Sequence, residues 1–314
     1  IGIAAPLYIS QNDGTLISAA EAARYPVMTI GSGPTNSMRG AAFLTGVDKG
    51  IVMDVGGTSC DIGVLANGFP RESSIAVDIG GVRTNFRMPD ILAIGLGGGT
   101  CIRLGAGDDD FVIGPDSLGY RITEDSFLFG GTTLTASDVA VAAGKAPFGD
   151  TAKLPDLAPS LRDAIIARIQ AMLADGIDRM KTASGDTTII AVGGGHFLIE
   201  DDIKGAAKVV RPDHAAVANA VGAAIAQVGA QTERIVDYDV EPRPVALARM
   251  RETLLARAVA AGATKDSVEI VDMDEVFLSY LPGRSAQLRM KAVGDLAEDA
   301  SHVDTAFTET RHAH

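Results

Sequence analysis

The chain has 314 residues, 46% hydrophobic and 21% charged, with 36 Gly and no Trp; this is the balance of a globular α/β protein rich in tight turns, not of a disordered or fibrous one. Lys and Arg number 27 against 40 Asp and Glu, a net charge of −13 without a basic cluster, which argues against nucleic-acid and membrane-surface partners. Cys60 and Cys101 are the only cysteines, too few for a secreted disulfide framework and not spaced with His as a zinc site, so a cytoplasmic protein is expected.

From Ile1, with no initiator Met and no signal-like opening, the chain reads as a fragment or processed product. Pro6 to Ser10 is a short β-like run closed by Asn12-Asp13-Gly14, and Val27 to Ile30 is a second, ending at Gly31-Ser32-Gly33-Pro34. Pro34 with Met38, Ala41, Ala42 and Phe43 predicts a helix whose N-terminus faces that turn and can receive an anion. Ile51 to Val55 and Asp61 to Leu65 are apolar strands, and Ser74 to Ile79 is expected to continue the sheet after the Asn67-Gly68 hairpin signal, giving three adjacent antiparallel strands. Residues 100–134 read as an irregular insertion before a helix capped by Thr135 or Ser137.

Ser160-Leu161-Arg162-Asp163 resembles a capping box, and Leu161, Ile165, Ile169, Met172, Leu173, Ile177 and Met180 recur at helical spacing until Gly185. Thr187 to Val192 is a buried strand, and Lys208 to Val210 precedes a helix capped by Asp213. The stretch Ala215 to Ala230, broken by Asn219 and Gln227, reads as a packed helix and not a membrane span. Pro242 and Pro244 open a helix through Ala261, followed by a strand near Val268 to Val271 and a hairpin turning at Pro282-Gly283. The change of character sets a boundary: residues 1–240 as one lobe, 241–314 as a small α/β appendage with a solvated acidic tail carrying His302, His312 and His314.

Asp54-Val55-Gly56-Gly57-Thr58-Ser59-Cys60-Asp61 carries the most chemistry. Glycines without a Cβ let backbone N–H groups close on phosphate oxygens, the hydroxyls add donors, and a strand-end carboxylate can hold Mg²⁺ or its waters. The bland alternative is an ordinary β-turn with a surface Asp. An echo, Asp78-Ile79-Gly80-Gly81, lacks the hydroxyl pair and the returning Asp and reads as a turn. Val192-Gly193-Gly194-Gly195-His196 is a place where backbone can approach a flat ring or sugar; His196 by itself reads as a loop residue. Gly97, Gly98 and Gly99, before Thr100, could contact a terminal phosphate or the second substrate. Neither the dinucleotide fingerprint nor Walker A is complete, since position 100 is Thr and Gly144-Lys145 is followed by Ala146. Cys60, with no base near it in sequence, reads as a packed residue.

In order, a phosphate hairpin at 54–61, a glycine loop at 193–195 and a small-residue helix at 213–230 resemble the actin, hexokinase and heat-shock ATPase superfamily. Within it, Gln11-Asn12-Asp13-Gly14, Gly31-Ser32-Gly33-Pro34, Asp54 to Ser59, Ile94 to Thr100 and Leu134-Thr135-Ala136-Ser137-Asp138 are similar to the A-type domain of the hydantoinase/oxoprolinase family, over residues 5–235. The resemblance implies a ribonuclease-H-like α/β lobe with a mixed sheet flanked by helices, beside the small C-terminal appendage. It implies ATP and Mg²⁺, with Asp54 and Asp61 in catalysis, Asp54 as the metal ligand, Gly56, Gly57, Thr58 and Ser59 cradling phosphate, and Gly193, Gly194 and Gly195 flanking adenosine. The implied activity is ATP-dependent opening of a small cyclic amide such as a hydantoin or 5-oxoproline. A carboxylase component, a small-molecule kinase or a non-catalytic scaffold are the alternatives on the same fold. Such folds pair two lobes, each with a phosphate loop, and only one convincing copy is present here. An N-terminal lobe is therefore expected as a missing partner, with a B-type subunit or a second copy of the chain as further candidates, and the chain alone is expected to turn over little ATP. Tyr120 to Phe129 departs from the Pro-, Gly- and Cys-containing run of the family, which leaves the substrate open.

Overall fold

In the computed structural model, residues 6–73, 78–79, 81–83, 87–105, 110–281 and 283–297 are described. In chain order the first elements are β1 (Tyr8–Ser10), β2 (Leu16–Ser18), α1 (Ala19–Arg24), α2 (Ser32–Thr45), β3 (Gly50–Val55) and β4 (Cys60–Ala66). Short strands β5 (Phe69–Pro70), β6 (Asp78–Ile79) and β7 (Val82–Arg83) precede β8 (Ile91–Ile94), β9 (Thr100–Leu104) and β10 (Phe111–Ser117). Then come α3 (Ile122–Asp125), α4 (Ala136–Ala142), α5 (Pro159–Met180), β11 (Thr187–Val192), β12 (Ala206–Val210) and α6 (Ala218–Ala224). The last elements are β13 (Val228–Asp237), α7 (Arg243–Ala260), β14 (Glu269–Phe277) and β15 (Ser285–Gly294).

Two compact units result, one falling within residues 12–14 and 31–225, the other within 1–11, 15–30 and 226–314. The first is built on a mixed sheet in the order β12-β11-β3-β4. β11 runs parallel to β12 and β3, while β3 and β4 form an antiparallel hairpin. β8 pairs with the first part of β4 and β5 with its end. The third antiparallel strand is therefore Ile91–Ile94, not the expected Ser74 to Ile79: residues 74–77 lie outside the described residues, and Asp78 and Ile79 pair with Arg83 and Val82 in a separate small hairpin.

Helices cover both faces of this sheet, which is why β3 and β11 are apolar almost throughout. Ile51, Met53, Ile62, Ile189 and Ala191 pack with Ile165, Ile169, Leu173 and Ile177 of α5. Val52, Leu65, Ile190 and Val192 pack on the other face with Met38 and Ala41 of α2 and Ala218 of α6. The period of two then places Asp54 on the same side as Val52, at the end of β3 nearest the turn.

Helix termini differ in detail from the sequence reading. Pro159 starts α5 behind Ala158, and no side-chain cap forms, so Ser160 and Asp163 are simply first-turn residues. Thr135, not Ser137, caps α4, in a capping box with Asp138. Asp138 is fully buried and accepts from Leu128 N at 2.9 Å, Thr135 N at 2.7 Å and Thr135 Oγ1 at 2.7 Å. Val27 to Ile30 is not a strand: Pro26 initiates a 3₁₀ turn over Pro26–Thr29. The helix expected from Ala215 to Ala230 is only Ala218–Ala224, because His214 takes a left-handed conformation ahead of a 3₁₀ turn, and Asp213 does not cap it.

α2 and α6 cross at backbone contact. A Cβ on Gly40 would lie 1.9 Å from the Ala218 carbonyl oxygen, and one on Gly222 would lie 1.8 Å from that of Asn36. Asn219 Nδ2 donates to Gly33 O at 2.8 Å beside this crossing.

The second unit is a five-stranded sheet, β1-β2-β13-β15-β14. β13 and β15 pair over ten residues, and Ala246, Met250 and Leu254 of α7 pack on Val236, Leu288 and Met290. Because β13 bonds both β2 and β15, the units part near residue 226 and the first strands of the chain join its last ones; the sequence reading drew the line at 240. β14 and β15 form the expected hairpin, in which Pro282 lies outside the described residues, as do Gly80, His302, His312 and His314.

Gly40→Ala should lower unfolding stability by about 1–3 kcal/mol, since the added methyl must push two helices apart. Urea unfolding would show this as a lower midpoint at unchanged slope.

Candidate functional site

The site grows from the turn between β3 and β4. Asp54 and Asp61 are direct cross-strand partners, so their side chains share a face at the mouth of the hairpin. Gly56 N donates to Ser59 O at 2.9 Å and closes the turn, leaving Gly57 and Thr58 exposed. Open space lies over Gly57, and the nearest atom to a Cβ on Gly56 would be Ser59 O at 3.6 Å. Cys60 is fully buried behind the turn, and burial, with Asp61 and Asp54 adding to it, pushes its thiol pKa far up, which suits packing and not nucleophilic attack.

Two other glycine turns close on this hairpin. A Cβ on Gly193, whose φ is +85°, would lie 2.3 Å from Asp54 Oδ1 and 2.3 Å from Val55 O. Gly195 N donates to Val55 O at 2.7 Å, and Gly193 N to Ala215 O at 2.9 Å. Gly194 is exposed, with open space above it. On the other flank, a Cβ on Gly97 would lie 2.7 Å from Gly56 O and 2.7 Å from Thr58 N. Gly98 N donates to Gly56 O at 2.9 Å, Gly99 N to Gly57 O at 2.7 Å, and Ser117 Oγ also donates to Gly57 O, at 3.1 Å.

The structure thus brings Asp54, Asp61, Gly56, Gly57, Thr58, Ser59 and Gly193 to Gly195 together, and adds Gly97 to Gly99 in a different capacity. These three are buried, and their N–H groups are already used on Thr100 Oγ1, Gly56 O and Gly57 O. They hold the hairpin from behind where the sequence reading expected them to touch phosphate or substrate directly. Ser117 and Ser37 were not legible as site residues. The density of glycine in Gly95 to Gly99 does signal close backbone approach, without saying to what.

Burial raises the pKa of Asp54; the Ser37 hydroxyl of α2 lowers it less, and it makes no hydrogen bond of normal length to the carboxylate. Burial also raises that of Asp61, to which the charge of Asp54 adds. Two carboxylates facing each other half-buried are therefore strained as anions, and a cation between or beside them would relieve both. His196 is half-buried; burial first and Arg211 second push its pKa down, keeping it neutral, and its Nδ1 has no hydrogen-bond partner among the described residues. No set of three or more His, Cys, Asp or Glu forms a metal cage among the described residues.

A glycine-lined hairpin between strand-end carboxylates, on a sheet of order β8-β4-β3-β11-β12, defines a ribonuclease-H-like lobe of the actin-like ATPase fold. The family model described as hydantoinase/oxoprolinase matches residues 1–183, and the chain belongs to that family. It is 29% identical over 198 residues to the caprolactamase subunit alpha of Pseudomonas jessenii, covering 60% of this chain and 27% of that one. Over 121 residues it is 34% identical to the acetone carboxylase beta subunit of Xanthobacter autotrophicus, covering 37% and 16%. Its fold matches the ATP-dependent caprolactamase structure from Pseudomonas jessenii with a TM-score of 0.64 at 19% identity, covering 94% of this chain and 54% of that one. A nucleotide-free acetone carboxylase structure matches with a TM-score of 0.63 at 19% identity, covering 93% and 53%. The chain thus spans about half of these solved chains and 27% or less of the curated relatives. No helix among the described residues is long and apolar enough to cross a membrane.

With the folded-state pKa raised, the carboxylate pair contributes stability below the ordinary carboxylate range, and loses it as pH rises through the raised value. Asp54→Asn should therefore raise the Tm of the ligand-free chain at neutral pH, because it removes the carboxylate that burial makes hard to ionise. The gap should narrow as pH falls through the ordinary Asp value of about 3.9 and close about a unit below it, where the Asp54 carboxyl is uncharged in either state; calorimetric melts across pH would show it.

Proposed function

We propose that this chain supplies one nucleotide-binding lobe of an enzyme that spends ATP to open a small cyclic amide of the hydantoin or 5-oxoproline type. The observation that carries the reading is the register of Asp54 opposite Asp61, flanking the exposed backbone of Gly56 to Thr58. Gly193 lets its turn lie directly against the Asp54 carboxylate, where any Cβ would clash.

Two carboxylates without a closed cage suit Mg²⁺, which keeps most of its waters and takes one or two carboxylates plus phosphate oxygens. Asp54 would hold the ion or its waters, with Asp61 orienting water or phosphate beside it. Gly56, Gly57, Thr58 and Ser59 would supply donors to phosphate, while the open space over Gly194 suits the approach of adenosine. ATP use is a property of the caprolactamase and acetone carboxylase relatives, and comes to this chain as support. Phosphorylating an amide oxygen turns a poor electrophile into one with a good leaving group, and backbone donors with Mg²⁺ offset the charge that develops.

Likeness to the acetone carboxylase subunit supports a second reading, in which the phosphorylated atom is an enolate oxygen and the outcome is carboxylation. Small-molecule kinase activity is a further outcome on the same site; a non-catalytic scaffold is disfavoured by two facing carboxylates that cost stability and serve no turn. A further lobe and a second chain are proposed partners, supported by the relatives being named alpha and beta subunits. Mg²⁺ and a cytoplasmic location belong to this reading.

Titration of the chain with Mg·ADP by calorimetry should show saturable binding, weakened at least about tenfold in Asp54→Ala, the loss expected on removing a charge-assisted contact. Absence of heat from both proteins at millimolar ligand would count against the lobe binding nucleotide on its own. If binding holds, phosphate released into solution together with an opened ring identifies the hydrolase, and phosphate retained on product the kinase.

A further inference from the structure

The hairpin is gripped at two different points along its length. Gly193 and Gly195 meet Asp54, Val55 and Gly56, at the strand end. Residues 117–119 meet its tip: Ser117 Oγ donates to Gly57 O at 3.1 Å, and a Cβ on Gly119 would stand 3.6 Å from Thr58 Cγ2. Leu118 N donates to Gly99 O at 2.9 Å and Gly119 N to Ser117 Oγ at 3.2 Å, so the backbone here is tied both to the hairpin and to the turn behind it. The next residue is Tyr120, 91% exposed, the most exposed large apolar side chain among the described residues.

An exposed aromatic ring is by itself ordinary. Here the ring is attached next to backbone pinned to the tip of the glycine turn, so its base is held beside the turn while the ring stays open to a ligand. With adenosine along Gly193 to Gly195, phosphates would run over Gly56 and Gly57 toward Thr58, and the group that receives the terminal phosphate would arrive on the side of residues 117–120. We infer that Tyr120 contacts that group, laying its ring against the plane of a cyclic amide or imide; this rests on the nucleotide reading of the hairpin.

The surrounding charges narrow the class. Both cations of this segment are engaged, Arg103 with Asp116 and Arg121 with Asp125, and Glu124 adds a further acid. Among its described residues this segment therefore offers no unpaired cation to a ring-borne carboxylate, which favours an uncharged ring, like hydantoin, over an anion such as 5-oxoproline.

The chain has no Trp, so Tyr120→Trp creates a single fluorescent reporter at an exposed position that folding does not depend on. In the protein loaded with Mg²⁺ and a non-hydrolysable ATP analogue, hydantoin should change Trp emission saturably, with 5-oxoproline at least about threefold weaker. By calorimetry, Tyr120→Ala should weaken hydantoin about three- to tenfold, the range of one aromatic contact, and leave Mg·ADP affinity within about twofold. Failure of Mg·ADP to bind the unsubstituted chain would count against nucleotide binding by this lobe on its own, and would remove the premise on which the placement of Tyr120 rests. Normal Mg·ADP binding, with Trp emission indifferent to hydantoin up to about 10 mM, would overturn the role of Tyr120 alone, and preference for 5-oxoproline would overturn the uncharged class.

Discussion

Two stretches of backbone cannot come closer than their Cβ atoms allow, and the hairpin at 54–61 depends on that limit being lifted on both flanks. Gly193 lets one turn lie against the Asp54 carboxylate, and Gly97 lets another lie against the backbone of Gly56 to Thr58. What would otherwise be a loose solvent turn becomes a fixed surface whose inner side is consumed in hydrogen bonds and whose outer side is free. Fixing donors before a ligand arrives is what makes electrostatic stabilisation effective, because no reorganisation is then needed as charge moves.

The same construction carries a cost. Asp54 and Asp61 are held face to face and half-buried, so each is harder to ionise than in water. A turn selected for stability alone would not place them so, and strain of this kind concentrates where a cation or phosphate is handled. Asp138 has a different place: it is fully buried, its oxygens accept three hydrogen bonds from Leu128 and Thr135, and it serves the architecture of α4.

The hairpin was legible in the sequence because alternation and glycine spacing are local, and Asp54, Asp61 and the glycines between them stand where the pattern put them. Capping at α5 was misread because Pro159 competes with Ser160 for the start of the helix. Gly97 to Gly99 are expected from sequence to contact phosphate or substrate, and their N–H groups go instead to Thr100 and the hairpin, since sequence does not say whether a bare backbone faces a ligand or another backbone. The third strand and the division near residue 226 depend on pairings between distant segments, Cys60–Gly63 with Ile91–Ile94 and β13 with β2, which leave no local trace.

That last pairing bears on how the chain acquires its shape as it is made. Residues 31–225 form a contiguous block whose sheet and helices can close as soon as they emerge, whereas β1 and β2 must wait for β13 to β15, some two hundred residues later, before their sheet is whole. The site-bearing unit can therefore close before β13 to β15 are made, and β1 and β2, though made ahead of it, find their neighbours only after it.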